Sequence, residues 1–149
     1  MKRERGFTLV ELLVVVCIIG ILSAIIIPNV RIALSKSKQR RTMSDMRTVG
    51  LAVSAYATDW VYAPEVANGT VEDLLPYLTP TYLKSLPRID GWQREIRYTG
   101  EGLDYTLLSY GRDGIEQGSL TLGPTTNFDD DIIIANGVFV QWPEGVQVE

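Results

Sequence analysis

The chain has 149 residues and a formal net charge of −4, with one cysteine and no histidine. The cysteine, Cys17, cannot close a disulfide within the chain. No phosphate-binding loop, nucleophile elbow or zinc-ligand spacing is present, so the sequence argues against the common classes of enzyme. About 90–100 residues follow the N-terminal apolar and helical region, which is enough for one small domain.

The chain begins with a short basic leader, residues 1–6, and continues in a nearly unbroken apolar run, residues 7–28. A helix needs about 20 such residues to cross the hydrocarbon core of a bilayer. Glu11 interrupts the run, and a carboxylate at membrane depth costs about 2.5–3.5 kcal/mol. Glu11 is therefore predicted to have a function and a cationic or hydrogen-bonding partner. A plain signal anchor is the alternative, whereas an ordinary secretory signal has a shorter apolar core and an A-x-A-like cleavage site.

The order of these residues resembles the class III signal of type IV pilins and of the pseudopilins of type II secretion. The resemblance rests on a basic leader ending in Gly6, the letters F-T-L from Phe7, Glu11 inside the apolar run, and Pro28 at its end. In that family a prepilin peptidase cuts after the leader glycine and methylates the new N-terminal residue. The resemblance implies cleavage between Gly6 and Phe7, methylation of Phe7, and a role for Glu11 in assembly.

Charge is unevenly distributed after the apolar run. Residues 31–47, here called the basic belt, hold six basic side chains and one acid, Asp45, whereas residues 49–149 hold five basic side chains and fifteen acids. A basic belt beside a membrane segment suits anionic lipid head groups or the acidic face of a neighbouring copy, and a plain solvated helix surface is the alternative. Because phosphate binding needs clustered Lys and Arg, no nucleic-acid partner is expected for the acidic domain.

One long helix is predicted from about Thr8 to Asp59, although Gly20 and Pro28 weaken it. Apolar residues recur at spacings of three or four beyond Pro28 and mark one stripe of the helix. The stripe consists of Met43, Met46, Val49, Val53, Tyr56 and Trp60. We expect residues 29–60 to be the amphipathic half of this helix and its stripe to form the floor of a core. The resemblance implies that Gly20–Pro28 can unwind in an assembled filament.

Residues 61–149 are predicted to form an α+β domain, in which a small antiparallel sheet packs on the long helix. After a loop at Val61–Gly69, Thr70 and Asp73 have capping-box spacing and a short helix is expected at Val71–Tyr77. Alternating patterns and turn residues then predict two hairpins separated by a long loop, residues 111–131. The hairpins join Ile96–Thr99 to Leu103–Tyr110 through Gly100-Glu101-Gly102, and Ile132–Ile134 to Val138–Val140 through Asn136-Gly137. The aromatic residues Trp92, Tyr98, Tyr105 and Tyr110 are expected to be core or hairpin pairs.

The long loop is acidic at both ends, with Asp113 near its start and Asp129, Asp130 and Asp131 at its end. Three adjacent aspartates repel one another, and a cation would relieve that repulsion. Calcium takes six to eight oxygen ligands from carboxylates and backbone carbonyls in flexible loops. The loop has no EF-hand spacing, so by composition alone an ordinary solvated acidic loop is favoured over a cation site.

Several motifs around this loop are similar to the major, G-type pseudopilin of type II secretion. They are Asp90-Gly91-Trp92, the tyrosine-rich hairpin, the pattern S-x-G-x-D-G from Ser109, and the pattern D-D-I from Asp130. In that family the last loop folds around a calcium ion. The resemblance implies Asp113, Asp130 and Asp131 as carboxylate ligands, together with backbone carbonyls near Tyr110. Many type IVa pilins close a C-terminal loop with a disulfide, so the lone cysteine favours the pseudopilin branch.

The resemblance implies a structural filament subunit that first lies in the inner membrane as a single-pass protein. The residues after Pro28 are also basic, but a short basic leader usually dominates for a first helix, so the C-terminal domain is expected in the periplasm. The implied partners are copies of itself, the prepilin peptidase, minor pseudopilins, the inner-membrane platform protein with its assembly ATPase, and membrane lipid before assembly. The alternatives are a major or minor type IV pilin of a surface pilus, and a membrane-anchored enzyme that uses its acidic residues.

Overall fold

The computed structural model describes residues 6–118 and 121–145, so most of the predicted leader lies outside the described residues. Helix α1 runs from Leu9 to Trp60 and contains Pro28. The predicted single helix is thus confirmed, and it is continuous across Gly20 and Pro28. The unwinding of Gly20–Pro28 in a filament stays a prediction.

The chain divides into two compact units, residues 1–34 and residues 35–149. In the first unit, the large apolar side chains of α1 other than Ile32 retain about half or more of their accessible surface, as Val15 (47 %) and Leu9 (82 %) illustrate. An 18-residue window of α1 has a mean hydropathy of 3.0, which is apolar enough to cross a membrane. An apolar surface of this extent requires lipid or other helices around it.

The second unit contains six strands and two short helical segments after α1. The strands are β1 (Val66–Thr70), β2 (Arg97–Glu101), β3 (Asp104–Ser109), β4 (Gly123–Thr125), β5 (Ile132–Ala135) and β6 (Val138–Pro143). They form one sheet in the order β1-β2-β3-β5-β6-β4. Every neighbouring pair is antiparallel except β4 and β6, which are parallel. The α+β class is confirmed, and the sheet is larger than the two predicted hairpins.

The core lies between the C-terminal half of α1 and this sheet. Four residues of the predicted stripe are buried, namely Met46, Val49, Val53 and Tyr56, and they share one cluster with Tyr98, Tyr105, Leu107 and Ile134. Met43 is only partly buried against that cluster. The prediction was wrong for Trp60, which ends the helix and is 55 % exposed, although it stacks on Tyr56 with ring centroids 6.0 Å apart.

The first predicted hairpin forms, but its turn is shorter than expected. Glu101 pairs with Asp104, so Gly102 and Leu103 alone make the turn, and Gly102 has a φ of +60°. Gly100 belongs to β2 rather than to the turn. A side chain at Gly100 would collide with the Pro64 carbonyl, so this glycine serves a close backbone approach, which sequence alone cannot distinguish from a turn glycine.

The second predicted hairpin is confirmed. Its turn residues Asn136 and Gly137 have φ values of +50° and +82°, as a type I′ turn requires. The capping box at Thr70 and Asp73 is also confirmed, with the Thr70 N–H 2.8 Å from an Asp73 carboxylate oxygen. The helix behind it is a 3-10 turn, Val71–Leu74, followed by α2, Leu75–Leu78.

Two strands lie where loops were predicted. Strand β1 covers the second half of the expected Val61–Gly69 loop and extends to Thr70, and its pairing with β2 is irregular between Val66 and Gly69. That irregularity interrupts the alternation by which a strand is recognised. Strand β4 falls inside loop 111–131 and has three residues, too few to carry a period-two pattern.

A buried turn at Asp90 and Gly91 joins the sheet to α1. The Asp90 carboxylate accepts hydrogen bonds from the backbone N–H groups of Trp92 and Arg94, at 2.8 and 2.9 Å. Its second oxygen accepts the Ser109 hydroxyl at 2.9 Å. These contacts tie the turn to the end of β3.

The same turn contacts the helix through Gly91. Its N–H donates to the Thr42 hydroxyl at 2.9 Å, and a side chain at Gly91 would collide with the Lys38 backbone. The Asp90-Gly91 pair noted in the sequence therefore fixes the helix against the domain.

Candidate assembly site and candidate metal centre

Gly6 and Phe7 lie in an irregular, exposed segment directly before α1. The Phe7 side chain is 73 % exposed, and a side chain added at Gly6 would meet nothing within 4 Å. Among the described residues, nothing folded covers the bond between them. Their roles in cleavage and methylation stay predictions.

Glu11 forms a capping arrangement with Thr8 that the sequence analysis missed. The carboxylate accepts the Thr8 N–H at 2.9 Å and the Thr8 hydroxyl at 2.7 Å. The Thr8 hydroxyl in turn accepts the Glu11 N–H at 3.3 Å. This is the T-x-x-E capping box that satisfies free donors at the start of a helix. Glu11 thus has a hydrogen-bonding partner within its own chain, and the spacing could have revealed it.

The three adjacent aspartates of the acidic loop face different partners. Arg112 holds Asp129 by two hydrogen bonds of 2.7 and 2.8 Å, one to each carboxylate oxygen. The hydrogen bonding from Arg112 lowers the pKa of Asp129. Asp130 accepts the Gln117 side-chain amide at 2.8 Å and the Asn127 N–H at 3.2 Å. Much of the repulsion expected among the three is relieved by these protein groups.

Gly111 brings the two ends of the loop together. Its φ is +61°, and a side chain there would lie 2.7 Å from the Asp130 carbonyl oxygen and 2.8 Å from that of Asp129. Arg94 donates to the Gly111 carbonyl at 2.7 Å. Only glycine allows the backbone to pass this close to the aspartates.

Asp131 is the one of the three adjacent aspartates whose carboxylate is not fully hydrogen-bonded. It is fully buried, and its Oδ2 accepts the Gln117 N–H at 3.0 Å. Its Oδ1 is buried with no hydrogen-bond partner. Burial raises the pKa of Asp131 to about 6, with further contributions from nearby carboxylates that include those of Asp113 and Asp130. A buried, unpartnered carboxylate oxygen is the kind of group that a cation satisfies.

The remaining predicted ligands are not gathered around Asp131. Asp113 accepts the Ile115 N–H at 3.0 Å, and the Tyr110 carbonyl accepts the Gly114 N–H at 3.1 Å. Among residues 6–118 and 121–145, no three acidic, histidine or cysteine side chains are placed to hold one ion together. Asp131 therefore offers one unpartnered carboxylate oxygen of the kind that calcium binds, and the other carboxylates would have to exchange their present hydrogen bonds to join it.

Two glutamines near this site were not predicted. The side-chain Oε1 of Gln117 accepts the Asp131 N–H at 3.3 Å and the Gln141 side-chain amide at 2.9 Å. Gln141 also donates to the Asp131 carbonyl at 2.9 Å. These contacts connect loop 111–131 to β6 across 24 residues of sequence, and no local sequence pattern marks them.

Without calcium, the stability of the wild type relative to Asp131→Asn should fall as the pH rises from about 4 to 6. The unfolded carboxyl titrates near 3.9 and the folded one at about 6, so only the folded state keeps the proton in this window. The stabilisation is complete below the lower value and lost above the upper one, by roughly 3 kcal/mol at most. Urea unfolding of a fragment beginning at Arg31, at a series of pH values in chelator, measures it. Parallel pH profiles for the two proteins would contradict the raised pKa.

Comparisons with known proteins cover both units of the chain. Residues 1–27 match the model of the prokaryotic N-terminal methylation motif, and residues 29–123 match that of type II secretion system protein G. The second match includes Asp113 and ends before Asp130 and Asp131. No solved structure matches the chain.

Several curated relatives carry the name type II secretion system core protein G. That of Pseudomonas aeruginosa is 31 % identical over 141 residues, 87 % of this chain and 98 % of the relative. That of Escherichia coli K12 is 34 % identical over 124 residues, which cover 75 % of this chain and 84 % of the relative. That of Dickeya chrysanthemi is 30 % identical over 132 residues, which cover 88 % of this chain and 86 % of the relative. The chain belongs to the type II secretion system protein G family.

Proposed function

We propose that this chain is a pseudopilin, a structural subunit that polymerises from the inner membrane into a pilus-like filament and drives protein export. The observation that carries the proposal is one exposed apolar helix, α1, preceded by a methylation-type leader and continuing into a small domain. Such a helix exchanges lipid for the helices of neighbouring subunits. The relatives' names favour type II secretion over a surface pilus.

The proposed role is structural and not catalytic. Before assembly the subunit is a single-pass protein of the inner membrane, and its acidic C-terminal domain lies in the periplasm. The prepilin peptidase removes residues 1–6. A platform protein and an assembly ATPase then move the subunit into a homopolymer, which minor pseudopilins accompany. The basic leader supports this orientation, because positive residues next to a first transmembrane helix favour the cytoplasmic side.

The proposal also includes calcium as a structural ion of loop 111–131. The support is the buried, unpartnered Oδ1 of Asp131 and the raised pKa of that carboxyl, which reflects its burial first and the repulsion of nearby carboxylates second. Asp113 and Asp130 would supply further carboxylate oxygens, and the carbonyl of Tyr110 a neutral one. Calcium would neutralise the cluster and hold the loop to the end of β3.

Processing tests the proposed function directly. The intact mass of the subunit from bacterial membranes should correspond to a chain that begins at Phe7 and carries one methyl group. Gly6→Ala should leave most of the protein as precursor, because the peptidase acts next to this residue. Gly20→Ala is the matched control, since a side chain there also meets nothing within 4 Å, and it should be processed normally. Assembled filaments made of chains that retain Met1 would refute the proposal.

A further inference from the structure

A groove runs between the C-terminal half of α1 and the β5–β6 hairpin. Its larger part has a volume of about 380 Å³ and is lined by Met43, Arg47, Gly137, Val138, Phe139 and Trp142. A second part, of about 310 Å³, shares three of these residues and adds Arg40 and Ser44. A single water needs about 10–15 Å³, so the groove has room for a whole side chain of a partner.

The groove combines apolar surface with positive charge. Val138 is 69 % exposed, and the guanidinium carbon of Arg47 lies 5.3 Å from the centre of the Phe139 ring. Neither Arg40 nor Arg47 forms a salt bridge among the described residues, and none of the described acids lines the groove. Such a surface favours a partner that presents an apolar side chain together with carboxylates.

The turn between β2 and β3 presents this combination. Leu103 in the turn is 66 % exposed and does not line the groove of its own chain. Glu101 and Asp104 on either side of it are both exposed. Residues 101–104, here called the acidic tip, therefore place one apolar side chain between two carboxylates at the end of a hairpin.

The two carboxylates of the acidic tip would be stabilised by a cation. Glu101 and Asp104 are direct cross-strand partners, and like charges in that position destabilise a sheet. Asp104 accepts a hydrogen bond from the Asn136 side-chain amide at 2.8 Å. Glu101 has no salt bridge among the described residues. Of the two, Glu101 is thus the carboxylate that is free to pair with an arginine of another molecule.

The acidic tip and the groove are different surfaces of one chain, and their charges are complementary. A contact between the tip of one copy and the groove of the next is heterologous, and such contacts build open helical polymers when they do not close a ring. Either surface placed against its own copy would bring like charges together, which disfavours a closed dimer. The occupant that fits the groove is therefore a second copy of this chain.

We propose that, in the filament, Leu103 of one subunit inserts into the groove of a second copy, where Glu101 pairs with Arg47. Asp104 and Arg40 add charges of the same complementary signs. The inference rests on the homopolymer of the proposed function and names the surfaces through which its domains touch. The position of Arg47 over an aromatic ring orders its guanidinium before the partner arrives, which lowers the entropy lost on association.

Co-expression of two differently tagged full-length chains, both with Cys17→Ser, tests the contact. One chain carries Leu103→Cys and the other Val138→Cys, so a disulfide between these positions joins two copies and cannot form within one. After mild oxidation of the cells we expect a cross-linked dimer that carries both tags. In the matched control Leu122→Cys replaces Val138→Cys. Leu122 is similarly exposed, at 73 %, but does not line the groove, so it should not cross-link.

Charge reversal tests the ion pair, with the yield of sheared filaments as the measurement. Arg47→Glu and Glu101→Arg should each lower the yield about tenfold or more, because like charges then meet across the interface. The two changes in one chain should restore the yield to within about twofold of the wild type, because the pair forms again with its signs exchanged. Lys38→Glu and Glu95→Arg are the matched controls. Both residues are exposed and lie outside the groove and the acidic tip, so these variants should assemble normally.

The outcomes separate this inference from the proposed function. Ile115 of loop 111–131 is also 66 % exposed and lies beside Glu116. A cross-link from Val138→Cys to Ile115→Cys, with none to Leu103→Cys, would assign the groove to that loop and overturn the proposal. A double charge reversal that assembles as poorly as the single ones would refute the ion pair. In both cases the wild type still forms filaments, whereas a wild type that forms none would refute the proposed function itself.

Discussion

Glu11→Leu should abolish filament assembly while membrane insertion stays at the wild-type level. Leucine removes a charge that costs about 2.5–3.5 kcal/mol at membrane depth, so insertion is at least as favourable. Assembly should fail because the carboxylate is expected to pair with the Phe7 amine of the neighbouring subunit and set the stagger between them. Carbonate extraction of membranes measures insertion, and electron microscopy of sheared filaments measures assembly.

The Thr8–Glu11 capping box supplies the controls for this experiment. Glu11→Gln keeps a capping partner for Thr8 but loses the charge, so it should assemble as poorly as Glu11→Leu. Thr8→Val breaks the cap and keeps the charge, so it should still assemble. Normal assembly of Glu11→Gln together with failure of Thr8→Val would show that only the cap matters, and the proposed charge pair would be abandoned.

Removing calcium should lower the melting temperature of a fragment beginning at Arg31 by about 10 °C. A ligand at a hundredfold excess over its Kd stabilises the folded state by about 2.7 kcal/mol, and a domain of this size moves by about 4 °C or more per kcal/mol. Asp131→Asn should reverse the order of stability. At neutral pH it should melt above the wild type in chelator, since it removes a buried charge, and below it in calcium. Thermal melts of both proteins with and without chelator measure this.

Asp130→Ala should melt low in calcium and lose its calcium response. Asp129→Asn is the matched variant, because Arg112 already engages that carboxylate. Asp129→Asn should melt below the wild type both in calcium and in chelator, and its melting temperature should still rise when calcium is added. Magnesium should restore the melting temperature of the chelated wild type only poorly, because it demands tighter octahedral geometry and keeps its waters. A melting curve indifferent to calcium and chelator would end the metal proposal and leave the filament proposal intact.

The elements that sequence predicted correctly are those with a local cause. The long apolar run and the stripe of apolar residues at spacings of three or four both predict α1. The two adjacent residues Asn136 and Gly137 are enough to predict a type I′ turn. The elements that it missed depend on distant partners. Strand β4 exists because β6 lies beside it, and Gln117 acquires its role from Asp131 and Gln141. Gly100 looks like a turn glycine until the Pro64 carbonyl is placed against it.

The candidate sites divide in the same way. The motif that contains Gly6, Phe7 and Glu11 is defined by the order of its residues, so it could be recognised from the sequence alone. Asp113, Asp130 and Asp131 share a loop in the sequence, but the structure gives each a different set of hydrogen bonds. Which aspartate is left uncompensated depended on Arg112 and Gln117. The composition of the loop could indicate a cation site. It could not show that Asp131 is the aspartate with a buried, unpartnered oxygen.

The buried turn at Gly91 has a mechanical consequence for a subunit that is pulled. The Gly91 N–H donates to the Thr42 hydroxyl at 2.9 Å, and the turn lies against the Lys38 backbone, so tension along α1 reaches the sheet first at this joint, ahead of the packed core around Met46 and Val53. Upstream of this joint, residues 9–30 are exposed except for the partly buried Ser23, and Pro28 leaves one helical hydrogen bond unmade. Under load the N-terminal half of α1 should stretch first, as an elastic element, while the domain behind the joint is carried along undeformed.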